Sequence, residues 1–286
     1  MIKRLCVIGV GLIGGSLARA LRTAGQVREI VGAGRNAENL QQAVDLGVID
    51  RFETDFARAV EGADMVLVAV PLGAMEGVFA AITDNLAGDA VVTDAGSAKG
   101  SVIESAQRVF GTPLKFFVPG HPIAGTERSG VAASFAELYQ GRRVILTPLP
   151  ETDARATARV RDMWEAAGAH VAEMDPHHHD EVLAATSHLP HVLAFTLVES
   201  LARLQDKKEI FEYAAGGFRD FTRIASSDPV MWRDICLSNN VAIQAMIERF
   251  IGDLQALDRA VEARDGERLL EIFSDAKAAR NRFVEK

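Results

Sequence analysis

Apolar residues come in short runs through the first half of the chain and at helical spacing through the second. Residues 3 to 8 (Lys-Arg-Leu-Cys-Val-Ile) end in an apolar run that reads as a short buried strand. Gly9-Val10-Gly11-Leu12-Ile13-Gly14 follows, and residues 15 to 21 read as a helix. The same reading predicts strands at 29 to 32, 63 to 71, 90 to 94 and 116 to 119, and a helix at 36 to 46. A further strand at 143 to 148 is expected to close the domain. Strands alternating with helices point to a mostly parallel sheet covered on both faces.

After about residue 175 the pattern changes to long helical stretches, at 175 to 203, 207 to 214, 231 to 263 and 266 to 284. In the third, Ile243, Met246, Ile247, Phe250, Leu254 and Leu257 recur at helical spacing. The expected organisation is an α/β domain over 1–174 and an all-α domain over 175–286. Residues 151 to 174, a helix followed by Ala169-His170-Val171, are grouped with the sheet.

Composition narrows the function classes. At 286 residues, 48% hydrophobic and 24% charged, the chain has the profile of a soluble globular protein. A net charge of −8 speaks against a nucleic-acid partner, although local arginines can still hold a small anionic substrate. Cys6 and Cys236 make neither a disulfide framework nor a zinc site, and a reducing cytoplasm suits them. No apolar run approaches the ~20 residues of a membrane span, so no membrane partner is expected. A leader-peptide reading of the N-terminus, with Lys3-Arg4 ahead of the apolar run and Ala18-Arg19-Ala20 as a cleavage site, competes with the glycine loop. Cleavage there would remove three glycines whose spacing has its own explanation.

That loop is G-x-G-x-x-G between a predicted strand and a predicted helix, the context that gives the motif meaning. Gly9 allows the tight turn, Gly11 admits a pyrophosphate, and Gly14 lets helix and strand pack closely. An acidic residue roughly 20 positions on would bind the ribose 2′-hydroxyl of NAD. Gly34, Arg35 and Asn36 stand there instead. Glycine leaves room and arginine can neutralise a 2′-phosphate, so NADP is the preferred cofactor, with NAD possible. Leu12 and Ile13 in the loop, and Val70 and Pro71 ending the third strand, complete the expected cofactor contacts.

Gly120-His121-Pro122-Ile123-Ala124-Gly125-Thr126-Glu127 holds a lone histidine between a glycine and a proline. Such a histidine can take the proton of a substrate hydroxyl while a nicotinamide takes the hydride. Two later motifs are Ala185-Thr186-Ser187-His188-Leu189-Pro190-His191 and residues 216 to 225 (Gly-Gly-Phe-Arg-Asp-Phe-Thr-Arg-Ile-Ala). The second runs on into Ser227-Asp228-Pro229 and Met231-Trp232. With these in their order, nearly the whole chain resembles the prephenate/arogenate dehydrogenase family of tyrosine biosynthesis.

The resemblance implies a Rossmann-like N-terminal domain, a helical C-terminal domain that forms a homodimer, and a small-molecule substrate, prephenate or arogenate. With the resemblance running through nearly the whole chain to Lys286, no appended regulatory domain and no attached mutase is expected. The resemblance makes His121 and Ser97 catalytic, with Ser97 also beside the nicotinamide. It puts His191, Arg223 and Gly216 on the substrate, Arg223 as the carboxylate-binding fork. Glu127 is an acidic neighbour of the kind that can favour an amine-bearing substrate, but family members of both kinds need not differ there, and no residue decides between prephenate and arogenate. A related β-hydroxy-acid dehydrogenase and a non-catalytic nicotinamide sensor are the competing readings. Ser97 also reads as a helix N-cap, Lys99 as a weaker candidate or surface charge, and Met231 and Trp232 as interdomain packing. His188 reads as a core histidine. His177-His178-His179-Asp180 lacks metal-site spacing, so no metal is expected, and it reads as a solvated helix start after Asp175-Pro176.

Overall fold

The computed structural model describes residues 1–126, 128–204 and 207–284. The chain opens with β1 (Ile2–Ile8), α1 (Leu12–Thr23), β2 (Val27–Ala33), α2 (Ala37–Asp45), β3 (Arg51–Glu53), α3 (Phe56–Val60) and β4 (Met65–Val68). It continues through α4 (Met75–Ile82), β5 (Val91–Asp94), α5 (Gly100–Phe110) and β6 (Phe117–Val118). These six strands form one parallel sheet in the order β3-β2-β1-β4-β5-β6. The order reverses direction between β1 and β4, the switch point outside which ligands bind in open α/β sheets. The segment a leader reading would remove is the central strand β1.

The central strands are apolar at consecutive positions because the sheet is buried on both faces. Leu5, Val7, Met65 and Leu67 enter one core with α1 and α6 (Ala154–Ala166), while Cys6, Ile8, Val66 and Val68 enter the other with α3, α4 and α5. Cys6 packs as a small hydrophobe, and burial pushes its thiol up to about 12.

The strand at β8 (Arg143–Leu146) does not join the large sheet. It lies between β7 (Gly120–Pro122) and β9 (His170–Glu173) in a three-stranded sheet, antiparallel to β7 and parallel to β9. The chain leaves β6 at Pro119, and the two strands on either side of it pair in different sheets. A Cβ on Gly120 would stand 3.1 Å from the Asp94 carbonyl oxygen, so a glycine makes this crossing possible. β3 and β7 have three residues each and β9 reads His-Val-Ala-Glu, so none announces itself as an apolar run.

Residues Met1–Asn240 pack as one unit and Val241–Lys286 as another. After β9 the first unit holds α7 (Pro176–Leu183), a π-helical turn (Ala184–His188), α8 (Leu189–Ala202), α9 (Lys207–Glu212), α10 (Gly216–Thr222), a 3-10 turn (Arg223–Ser226) and α11 (Pro229–Ser238). Pro190, which cannot donate to a helix ladder, directly follows the π-helical turn inside the continuous helical stretch Pro176–Ala202. The helix expected at 231 to 263 is broken at Asn239, which takes φ −118° and spends its side chain on Asp180 and His188. The second unit carries α12 (Asn240–Glu262) and α13 (Gly266–Val284), with Val241, Ile251, Leu254, Leu270 and Phe273 exposed on its own surface.

Contrary to the run-length reading, the helical stretch Pro176–Ala202 is long and apolar enough to cross a membrane by length and composition. It carries Asp180, His179 and His188 buried in a hydrogen-bonded cluster, polar groups that are costly in hydrocarbon.

Candidate active site

The site is assembled at the C-terminal ends of the parallel strands. Gly9 follows β1 with φ 96°, and a Cβ there would lie 2.3 Å from the Ala69 carbonyl oxygen just beyond β4. The turn is therefore closed to any other residue. Gly14 is equally tight against the Gly9 carbonyl, at 2.4 Å, so helix and strand approach closely. At Gly11 an added Cβ would meet nothing within 4 Å. α1 starts there with no side-chain cap and no acid in its first turn. Uncapped amides and the positive helix end beside open space fit a pyrophosphate. Leu12 is buried and Ile13 half-buried in that first turn, and Val70 flanks Gly9, with exposed Pro71 next along the chain.

After β2 the chain runs through Gly34 to Arg35, which is exposed. Asn36 is also exposed and caps α2, its Oδ1 accepting from Asn39 N at 3.0 Å. Ala33 pairs with Glu53 on β3, whose carboxylate accepts from Arg51.

Beyond β5 and β6 lies the chemistry. Lys99, read from sequence as a weak candidate or surface charge, is fully buried. Its Nζ donates to Asp94 Oδ2 at 2.5 Å and to the Gly120 carbonyl at 2.6 Å. Asp94, also fully buried, accepts from Gly96 N and Gly120 N. The pair ties the loop after β5 to the strand that carries His121. Burial draws the Lys99 ammonium below its ordinary pKa, against the pull of Asp94 and Asp180.

His121 is buried on β7, and its Nδ1 lies 2.9 Å from His179 Nε2. His179 Nδ1 lies 2.8 Å from Asp180 Oδ1. Asp180 in turn accepts from the backbone N–H groups of Lys99 (2.8 Å) and Gly100 (2.9 Å) at the start of α5. Asp180 therefore does the capping expected of Ser97, which is half-buried in the loop before α5 and is not its N-cap. The solvated reading of His177 to Asp180 fails at its second half. His177 and His178 are exposed, whereas His179 and Asp180 face inward with Leu183. His179 and Leu183 are one helical repeat apart, a signal that periodicity offers.

His188 is buried, with Nδ1 3.2 Å from Asn239 Nδ2, and the Ser97 backbone faces its ring. His191 Nδ1 lies 2.9 Å from the Ser187 carbonyl oxygen, and its ring stacks on Trp232 at 3.8 Å between centroids. Trp232 is thus buried against a site histidine, while Met231 beside it is exposed. His188 Nε2 and Trp232 Nε1 are among the buried side-chain atoms without a well-formed hydrogen bond. Gly216 and Arg223 are exposed at the start of α10 and at the turn after it, both of which pack on α8, the helix of His191. Glu127 lies outside the described residues.

Burial pulls the His121 imidazole well below its usual range, aided by His179, Lys99 and His188. Burial likewise draws His188 down to about 4 and lowers His179 and His191. All four rings are neutral near pH 7, so His121 can accept a proton there. Sequence reasoning singled out His121, Ser97, His191 and Arg223 and missed His179, Asp180, Asp94 and Asn239. These four act through partners 26 to 81 positions away.

Comparison with known proteins bears on this arrangement. The family model described as prephenate dehydrogenase, nucleotide-binding domain matches residues 17–173, and that described as prephenate dehydrogenase, dimerization domain matches 175–275. A cyclohexadienyl dehydrogenase of Zymomonas mobilis is 42% identical over 282 residues, covering 97% of this chain and 95% of that protein. A prephenate dehydrogenase of Bacillus subtilis is 36% identical over 280 residues, 97% of this chain and 75% of that one. A solved prephenate dehydrogenase from A. aeolicus, in complex with hydroxyphenyl propionate and NAD+, is 39% identical with TM-score 0.92 over 99% of each chain. Synechocystis arogenate dehydrogenase is 25% identical with TM-score 0.80, over 98% of this chain and 99% of that one. These matches favour neither the β-hydroxy-acid dehydrogenase nor the sensor reading. Both family models in order, over a six-stranded parallel sheet and a helical C-terminal region, place the chain in the prephenate dehydrogenase family of oxidoreductases.

Proposed function

We propose that the protein converts prephenate to 4-hydroxyphenylpyruvate or arogenate to tyrosine. A ring hydroxyl becomes a ketone as hydride leaves the same carbon, and loss of the ring carboxylate as carbon dioxide aromatises the ring. A bound nicotinamide nucleotide would supply the hydride acceptor. His121 takes the hydroxyl proton, Ser97 lies beside the same hydroxyl and the nicotinamide, Arg223 binds a carboxylate, and His191 with Gly216 lines the substrate. The observation that carries this reading is a buried, neutral His121 following directly from β6, next to β5 and its Ser97 loop.

Gly9, Gly11, Leu12, Ile13 and Gly14 would hold the pyrophosphate, with Val70 and Pro71 alongside. NADP is preferred on this reading because no carboxylate ends β2 and Arg35 is exposed there. The A. aeolicus relative was solved with NAD+, so NAD is the second cofactor to test. The functional division falls at 174/175, with 175–286 forming the homodimer and supplying substrate contacts, in a reducing cytoplasm that keeps Cys6 and Cys236 unpaired. Initial rates at 340 nm with prephenate or arogenate, each paired with NAD or NADP, test the whole reading. Turnover in one pair supports it and names the specificity; none in any of the four, with dinucleotide still binding, refutes the assigned chemistry.

A further inference from the structure

We propose that His179, seated on Asp180, is a positioning residue that sets the tautomer of His121. Nδ1 of His121 then carries the proton, and Nε2 presents its lone pair to the substrate hydroxyl. The proposal rests on reading His121 as the base.

Burial works to raise the Asp180 carboxyl, but the His179 hydrogen bond and the N–H groups of Lys99 and Gly100 outweigh it and hold the acid below its usual range. An ionised carboxylate only accepts, so the 2.8 Å contact requires His179 Nδ1 to donate. A neutral His179 protonated on Nδ1 has a bare Nε2, which must accept. The 2.9 Å contact then requires His121 Nδ1 to donate. A neutral His121 with Nδ1 protonated has only Nε2 left for proton uptake.

The groups around the pair agree with this order. His121 faces His179 on α7, His188 at the end of the π turn, and Lys99 before α5. His179 faces Asp180, Asp94 and Lys99. When His121 takes the proton of the hydroxyl, its Nδ1–H bond to His179 is unchanged and no second proton needs to move. Because Asp180 caps α5 just past the Ser97 loop, the setting of His121 is also tied to the segment proposed to meet the nicotinamide.

Nitrogen-15 NMR of histidine-labelled protein at pH 7.5 tests this directly, with the His121 signals identified by their loss in His121→Asn. The expected result is a protonated Nδ1 and a bare Nε2 on His121 of the native protein. A proton on Nε2 overturns the proposal without any kinetic measurement. In parallel, His179→Leu should lose about 100-fold or more in kcat with substrate KM nearly kept, as wrong-tautomer variants of catalytic histidines do. His179→Gln, whose Oε1 can accept near the Nε2 position, should regain much of that loss. Turnover of His179→Leu within about two-fold of native also overturns it. If His121→Asn turns over normally, the base reading falls instead, and the NMR result still decides the tautomer.

Discussion

Replacing Lys99 by Met should destabilise the fold by about 3–5 kcal/mol, and the structure sets that scale. Lys99 and Asp94 are both 0% exposed and joined at 2.5 Å, with the Gly120 carbonyl 2.6 Å from the same ammonium. Removing one member of a buried pair leaves the other uncompensated, at ~3–5 kcal/mol. The stranded Gly120 carbonyl adds ~1–3 kcal/mol. Against this, Asp94 keeps the Gly96 and Gly120 N–H groups, and Met fills much of the vacated volume, so the estimate stays at the ~3–5 kcal/mol of the broken pair without the added cost of the carbonyl. Guanidinium unfolding is the assay; with a typical slope, the midpoint should fall by about 1 M. Asp94→Asn combined with Lys99→Met removes both charges and should recover part of the loss. A single variant within about 1 kcal/mol of native would refute the claim that this pair holds the β5 loop to β7. A double variant whose loss equals the sum of the single losses would refute their coupling.

Arg223→Ala should raise substrate KM far more than it lowers kcat; equal effects on both would give the guanidinium a transition-state role. Arg35→Ala should raise KM for NADP and leave KM for NAD nearly unchanged, and a parallel change in both would remove the 2′-phosphate argument. The acid limb of kcat/KM should lie below pH 6.5, because burial depresses His121 and the base is lost only as pH falls through that lowered value. A limb at the ordinary histidine value would contradict the burial. His121, His179 and His188 are all depressed in the fold, so the unfolded chain takes up protons first as pH drops. The contribution of these three histidines to stability should be constant above about pH 7 and fall from about 6.5. The His188 contribution stops growing near its folded value of about 4. Urea midpoints that stay level from pH 7 to 5 would contradict this.

The parallel sheet, its glycine loop and the helical second half were legible because each is a local pattern. Apolar runs at 3 to 8, 63 to 71 and 90 to 94 became β1, β4 and β5, and Gly9, Gly11 and Gly14 stand where their spacing put them. β7 was not legible: it has three residues, and its pairing joins Gly120 to Leu146 and Pro122 to Val144, partners outside any local window. The same limit governed Lys99. A lysine in a polar stretch reads as a surface charge unless Asp94 and Gly120 are known to enclose it.

The chain alone therefore settled its class of fold and placed its glycine loop, and it offered His121 as the candidate base, since hydrophobic period, turn chemistry and residue type act over a few positions. Tertiary structure decided which groups surround that base. His179, 58 residues from His121, and Asn239, 51 from His188, are neighbours only once the sheet and helices have packed. Protonation follows the same division. Side-chain chemistry makes histidine a proton carrier, but burial and the partners brought by folding decide which nitrogen holds the proton and at what pH.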